Sequence, residues 1–257
     1  MPSETVLVTG ASSGIGEELA RLFAADGSDL VLVARREDRL RRLAVELERD
    51  YGVTARVERV DLGEPEQLVD LCERLADQQV EVNVLVNNAG FGARGRVAEL
   101  GLGRQLEMIR LNVEALTALT RFLLPGMLTR SSGGVLNVAS TAAFQPGPFM
   151  AVYYATKAYV LSFSEALVEE VRGTGVAVTA LAPGPTLTGF QKEADLEETL
   201  LFKLGPMTAA QVARAGHRGF RKERTLVVPG LRNRLLALSN RVSPRWLVRR
   251  VVRKLQG

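Results

Sequence analysis

Short apolar runs alternate along this chain with longer segments whose apolar residues recur every three or four positions. The runs "TVLVTG" (Thr5 to Gly10), "LVLVA" (Leu30 to Ala34), "ARVERV" (Ala55 to Val60), "VNVLVN" (Val82 to Asn87), "GVLNVAS" (Gly134 to Ser140) and "VAVTALA" (Val176 to Ala182) are rich in β-branched residues and predict strands. Most are apolar at consecutive positions, as strands covered on both faces are. Between them, "GEELARLFAAD", "REDRLRRLAVELERDYG" and "PEQLVDLCERLADQ" carry apolar residues at helical spacing with charges elsewhere. Strand and helix in repeated alternation predict right-handed crossovers and an α/β fold, a doubly wound parallel sheet with helices on both faces. "TLVV" (Thr225 to Val228) is expected to add a seventh strand. Residues 1–230 are thus read as one domain, with loops and short helices forming a lid at about 186–220, and residues 231–257 as a helical extension. The clusters "RSSGG" and "QPGP" are short enough for loops within that domain.

Composition narrows the function classes. The 257 residues, 46% of them hydrophobic, can bury a substantial core. A lone cysteine, Cys72, forms neither an internal disulfide nor a thiolate metal cluster, and a reducing, cytoplasmic setting is expected. The single histidine, His217, lies near no serine or cysteine motif and is expected to be an ordinary surface or helix-end residue, which leaves a Ser-His-Asp hydrolase or a histidine metal site without support; no metal is expected. No apolar run approaches the ~20 residues that span a bilayer. Only "MPSE" precedes the first strand, and no signal peptide is expected. Charge is unevenly placed: Arg224 to Gly257 holds nine basic and no acidic side chains, while the first 223 residues hold 24 basic against 29 acidic. The basic balance therefore belongs to the C-terminal segment, and a nucleic-acid-binding body is not expected.

Candidate chemistry begins at the end of the first strand, where "TGASSGIG" sets glycines at 10, 14 and 16. A Gly-rich strand-to-helix turn lets backbone pass close to a phosphate and aims free N–H groups at its charge, which suits a dinucleotide. At the end of the second strand, "VARRED" puts Arg35 and Arg36 where an acidic residue would accept from a ribose 2′-hydroxyl. Arginine instead suits a 2′-phosphate, and NADP(H) is favoured over NAD(H). The alternative is that these arginines only open a solvated helix. In "AVYYATKAYVL", Tyr153 and Tyr154 can each share a helix face with Lys157, and spacing leaves open which phenol is active.

Taken together, these stretches resemble the short-chain dehydrogenase/reductase family over nearly the whole chain up to about residue 190. The matching pieces, in the family's order, are "TGASSGIG", "DL" at 61 to 62, "NNAG" at 87 to 90, "LNV" at 111 to 113, "VLNVAS" ending at Ser140, "YYATK" at 153 to 157 and "PGPTLT" at 183 to 188. The resemblance implies a Rossmann-type fold and a Ser-Tyr-Lys-Asn site of Ser140, Tyr153, Lys157 and Asn112. Its Tyr-x-x-x-Lys pattern selects Tyr153 over Tyr154, and leaves Tyr154 and Tyr159 as packing residues. Tyr153 is then the expected general acid, with Lys157 lowering its pKa and binding the nicotinamide ribose. Ser140 would donate to the substrate oxygen and Asn112 would order a relay water. Cofactor contacts implied by the same motifs are Gly10, Ser12, Ser13, Gly14, Ile15 and Gly16 at the turn, and Asp61 and Leu62 at the adenine. Asn88, Ala89 and Gly90 are expected beside the adenosine, with Asn87 and Gly90 closest, and Pro183, Gly184, Thr186 and Thr188 at the nicotinamide.

Substrate contacts come from loops and are the least readable part. Phe91, Phe144, Phe149, Leu187 and Phe190 are expected to form an apolar pocket for a small-molecule ketone, aldehyde or secondary alcohol of lipid, acyl or steroid-like character. A non-catalytic NADP(H) sensor, a membrane-recruited binding module and an epimerase or dehydratase of the same fold are the alternatives; the four site residues and the short chain weigh against them. Pro244 should divide the C-terminal segment into two helices. In the second, Leu247, Val248, Val251, Val252 and Leu255 fall within about 140° of a helical wheel, with Arg245, Arg249, Arg250, Arg253 and Lys254 opposite. Such a helix can lie peripherally on an anionic membrane, pack on the acidic body, or join a second subunit. It also replaces the ending that supports the family's usual tetramer, and a homodimer is expected instead.

Overall fold

The structure, a computed structural model, describes residues 4–189 and 205–256. Its seven-stranded sheet runs β3-β2-β1-β4-β5-β6-β9, every neighbouring pair parallel. The strands are β1 (Thr5–Thr9), β2 (Asp29–Ala34), β3 (Ala55–Arg59), β4 (Val84–Asn87), β5 (Gly133–Val138), β6 (Val176–Leu181) and β9 (Leu226–Val227). The two-strand sheet of β7 (Thr186–Leu187) and β8 (Met207–Thr208) stands apart from it. The expected fold is the observed one, with the seventh strand at the edge beside β6.

Strand alternation explains why the runs are apolar throughout. In β1 and β2, Val6, Val8, Leu30 and Leu32 pack on one face, with Leu19 and Phe23 of α1 (Gly14–Ala25) and Leu40 and Leu47 of α2 (Glu37–Tyr51). Leu7, Val31 and Val33 point to the other, onto α3 (Pro65–Asp77), α5 (Leu116–Thr129) and α6 (Ala151–Glu170). Side chains of successive residues leave a strand on opposite faces, and here both faces meet helices.

One helix of the stretch expected to form loops and short helices, α7 (Ala209–Phe220), lies against α1 and buries Val212, Ala213 and Phe220 in the first of those cores. Thr208 starts it: its hydroxyl accepts from the Gln211 N–H at 3.2 Å and the Gln211 side chain accepts from the Thr208 N–H at 3.0 Å, a reciprocal cap. Residues 209–220 thus belong to the helical layer rather than to the lid expected through 220. His217 sits on this helix, edge-on to Phe23 at 4.8 Å and 2.9 Å from Asp26, while Arg221 pairs with Glu4 and Asp26. Its place is structural, tying α7 to α1.

Pro244 separates α8 (Leu231–Val242) from α9 (Arg245–Gln256). One face of α9 does pack on the body: Val248 and Val252 are buried with Phe91, Met108, Met150, Tyr153 and Tyr154. Asn240 of α8 donates to the Gln145 side chain at 2.9 Å, anchoring the same end of the molecule. Among the described residues no helix is long and apolar enough to cross a membrane.

Candidate active site

Beside β1 the strand order reverses, because β2 lies on one side and β4 on the other. At such a point the two crossovers depart to opposite faces and leave a crevice beyond the carboxyl ends of the strands. A cleft of roughly 420 Å³ opens there, and its walls run from the Gly10 turn to Lys157. Thr9 fixes its floor: the hydroxyl donates to the Val86 carbonyl at 3.2 Å and accepts from the Asn88 and Ala89 N–H groups at 2.9 and 3.0 Å. Asn88 answers with side-chain bonds to the carbonyls of Thr9 (2.9 Å) and Gly10 (3.3 Å). The Gly10 turn, left-handed at φ +65°, is thereby locked to the end of β4. Gly16 does not line the cleft; a Cβ there would strike the Asn88 amide and the Gly10 carbonyl, so it acts by letting α1 close on the turn.

The first N–H groups of α1 receive no side-chain cap from Ser13, and Gly14 and Ile15, which open the helix, line the cleft. Arg36 lies across the turn, its guanidinium donating to the Ser12 hydroxyl at 2.9 Å and the Ser13 hydroxyl at 2.7 Å. Arg35 reaches Asp61 at 3.6 Å and Glu107 at 3.8 Å. Arg36 is also the residue that opens α2, but its side chain turns back over the glycine turn instead of out into solvent along that helix. Ser12, Ser13, Gly14, Ile15, Asp61, Leu62, Asn88, Ala89, Gly90, Pro183, Gly184, Thr186 and Thr188 all line the same cleft. Asn87 does not. It is buried behind the wall, its amide donating to Thr120 at 3.0 Å and Asn137 at 2.9 Å, a structural role that its place in "NNAG" did not reveal.

At the far end, α6 presents Tyr153 and Lys157 one turn apart, both buried. Ser140, just beyond β5, hydrogen-bonds the Tyr153 phenol. Its hydroxyl also accepts from the Ala142 N–H at 3.1 Å, which fixes it at the start of a 3-10 turn, Thr141–Phe144. Burial pushes the Tyr153 phenol up from its ordinary value, with the Ser140 hydrogen bond acting the other way. Lys157 donates to the Val138 carbonyl at 2.7 Å, and burial lowers its own pKa to about 8. Gly90 adjoins both this ammonium and the Asn112 side chain, and a Cβ there would press on the Asn112 Oδ1.

Asn112 lies in a π-helical turn, Arg110–Ala115, between α4 (Leu102–Ile109) and α5. Its side chain is fully engaged, accepting from the Phe91 N–H at 3.1 Å and donating to the Phe91 carbonyl at 2.9 Å and to Thr156 at 3.0 Å. It stands behind the wall of the cleft rather than in it. Of the four expected substrate residues among those described, only Phe91 lines the cleft, with the Arg104 guanidinium stacked 3.8 Å over its ring. Phe144 turns toward the core around Val160 and Ala180, Leu187 is exposed, Phe149 is held by a 2.7 Å bond from the Gly95 N–H to its carbonyl, and Phe190 lies outside the described residues. Their place is taken by Leu111, Ala142, Gln145, Met150 and Tyr154. Tyr154 is more than packing: it meets the Tyr153 ring edge-on at 6.0 Å and forms cleft wall.

The sequence model of the short chain dehydrogenases matches residues 4–199. The chain belongs to that family. Among curated short-chain dehydrogenase relatives, the very-long-chain 3-oxoacyl-CoA reductase of Anas platyrhynchos is 35% identical over 190 residues, 72% of this chain and 61% of that protein. A short-chain dehydrogenase from Sphingobium yanoikuyae in complex with NADPH superposes with a TM-score of 0.84 at 34% identity, covering 93% of each chain. The bulky-bulky ketone specific alcohol dehydrogenase from Comamonas testosteroni follows at 0.80 and 30%, covering 94% of each. The chain is thus an oxidoreductase of the short-chain dehydrogenase type. Among the described residues, no group of three or more His, Cys, Asp or Glu is arranged to hold a metal.

Proposed function

We propose that this short-chain dehydrogenase uses NADP(H) to reduce a ketone or aldehyde, or to oxidise the corresponding alcohol, on an apolar substrate. The observation that carries the reading is a single cleft with a guanidinium over the glycine turn at one end and a buried Ser140–Tyr153 hydrogen bond beside Lys157 at the other.

The residues fit the cofactor. Arg36, Ser12 and Ser13 form a cationic, donor-rich seat for a 2′-phosphate, the uncapped start of α1 offers N–H groups to the pyrophosphate, and Lys157 with the wall from Pro183 to Thr188 would hold the nicotinamide ribose. NADPH, when bound, supplies the hydride. The chain's own task is the substrate oxygen, on which negative charge grows as the carbonyl is reduced. Tyr153, kept as the neutral phenol by burial, has a proton to give there, and the Ser140 hydroxyl can donate a second hydrogen bond to the same oxygen. The buried Lys157 ammonium would stabilise the phenolate left behind, and Asn112 would hold the Phe91 backbone and the π turn in register for proton resupply. Met150, Tyr154, Leu111 and Phe91 give the substrate side its apolar character. The NADPH-bound neighbour and the bulky-ketone neighbour support the choice of cofactor and substrate class. A homodimer is the assembly proposed.

The test follows NADPH and NADH consumption across a panel of aliphatic, aromatic and steroid-like carbonyls with wild type and Tyr153→Phe. Turnover with NADPH that disappears in the variant is expected; turnover that survives, or a preference for NADH, contradicts the reading.

A further inference from the structure

Packing of α9 on the body uses only part of its apolar surface. Val248 and Val252 are buried, while Trp246, Leu247 and Val251 remain outside, Trp246 with 53% of its surface exposed and Arg250 stacked 5.3 Å over its ring. In α8, Asn233, Ala237 and Asn240 turn inward, and Leu231, Leu235 and Leu238, spaced four and three residues apart, make a second stripe with Leu231 72% exposed. Exposed large apolar side chains occur singly on ordinary surfaces, but here seven, with Leu236, fall between Leu231 and Val251. The same segment from Arg224 onward carries nine basic and no acidic residues.

We propose that α8 and α9 form a docking surface for an anionic lipid bilayer, on which the protein lies peripherally. Apolar stripes alone would suit several occupants; the charge chooses among them. An isologous contact through these helices would set two +9 segments against each other. A nucleic acid would meet the cations but give the leucines nothing to enter. A bilayer with anionic headgroups answers both features: phosphate-rich charge for Arg249, Arg250, Arg253 and Lys254, and an acyl boundary for Trp246, Leu247 and Val251. Trp suits that depth, its ring amphipathic and its N–H able to reach headgroup oxygens. Because Val248 and Val252 keep α9 seated beside Phe91 and Tyr154, docking brings the substrate end of the cleft near the lipid. The docking itself draws on no residue assigned to the proposed reaction.

Trp246 is the chain's one tryptophan, and its fluorescence reports α9 directly. The full chain is mixed with vesicles of phosphatidylcholine, with or without one-third phosphatidylglycerol, and followed by emission and co-sedimentation. Expected are a blue shift and co-sedimentation with the anionic vesicles, both reversed by high salt. Arg250→Gln with Lys254→Gln should weaken partitioning roughly 30-fold, about 1 kcal/mol for each cation removed. Leu235→Ser with Leu238→Ser, both exposed in the wild type, should weaken it independently while leaving NADPH oxidation unchanged. Three results would overturn the proposal: no shift, an equal shift with pure phosphatidylcholine, or a concentration-dependent shift of the Trp246 emission without vesicles, which would assign this surface to a second copy.

Discussion

Lys157→Met separates what the buried ammonium does for stability from what it is proposed to do for chemistry. Burial lowers its pKa from 10.5 to about 8. The unfolded chain therefore takes up this proton at higher pH than the folded one, and protonation favours unfolding. The sign is definite: stability contributed by this position is lowest below about pH 8, where both states are charged, and rises with pH until it levels off above 10.5, where both are neutral. At about 1.36 kcal/mol per unit, the gap is worth roughly 3 kcal/mol. Methionine keeps the length and apolar stem without the charge, but leaves the Val138 carbonyl without its 2.7 Å donor, a loss of about 1–3 kcal/mol. Near neutral pH these oppose, and the variant should be about as stable as wild type or slightly more so, although carbonyl reduction is expected to be lost. The decisive quantity is the change with pH. Urea unfolding of both proteins at several values between pH 7.5 and 10.5 should show wild type gaining on the variant by roughly 3 kcal/mol, since other titrations cancel in the difference. A difference that stays constant across that window would refute the account of Lys157 as a buried charge.

Tyr153→Phe removes the proposed proton donor but little volume, and kcat for carbonyl reduction should fall by about 10²–10⁴ while NADPH affinity, read by protein fluorescence quenching, stays within a few-fold. Arg36→Ala should raise the KM for NADPH by roughly 10–100-fold and leave that for NADH nearly unchanged, the loss corresponding to one charge-assisted contact to a 2′-phosphate; equal effects on both would place Arg36 in the fold alone. Asn88→Ala deletes the bonds to the Thr9 and Gly10 carbonyls and should lower stability by about 1–3 kcal/mol in urea unfolding, with NADPH binding weakened as the glycine turn loosens.

The parts of the fold that were legible in the sequence are those where burial leaves a pattern in residue type. The consecutive apolar residues of "TVLVTG" and "LVLVA" follow from Val6 and Leu7, or Leu30 and Val31, packing on opposite faces, and the doubly wound parallel sheet with its seventh strand followed in turn. Pro244 marked its helix break because its ring fits only the first turn of a helix. By contrast, α7 begins on a capping box, "TAAQ", inside a stretch whose glycines and charges masked its apolar face. The π turn at Arg110–Ala115 leaves no compositional trace, since inserting one residue into a helix needs no particular side chain. Thr9, Thr120, Asn137 and Ser164 form buried polar ladders behind the cleft, with Asn137 donating to Ser164 at 2.9 Å. Each reads as an ordinary polar residue until its partner, tens of positions away, is known.

The two ends of the cleft differ in legibility for a physical reason. The cofactor end is built from backbone geometry and from motifs at fixed spacing, so "TGASSGIG" and "NNAG" locate it; even so, Asn87 and Gly16 act from behind the wall. The substrate end is built by which side chains the loops, the π turn and α6 turn inward, and apolar character does not say which way a residue faces. Phe144, Phe149 and Leu187 are as hydrophobic as Met150 and Tyr154, yet only the latter pair line the cleft. What decides is tertiary: Gly147 leaves room for the Tyr154 ring, and Val248 and Val252 close the cluster around it from a helix nearly a hundred residues away. Substrate selectivity is therefore expected to follow how the C-terminal helices seat: Val248→Ala with Val252→Ala should shift relative turnover across the carbonyl panel while leaving the KM for NADPH within a few-fold.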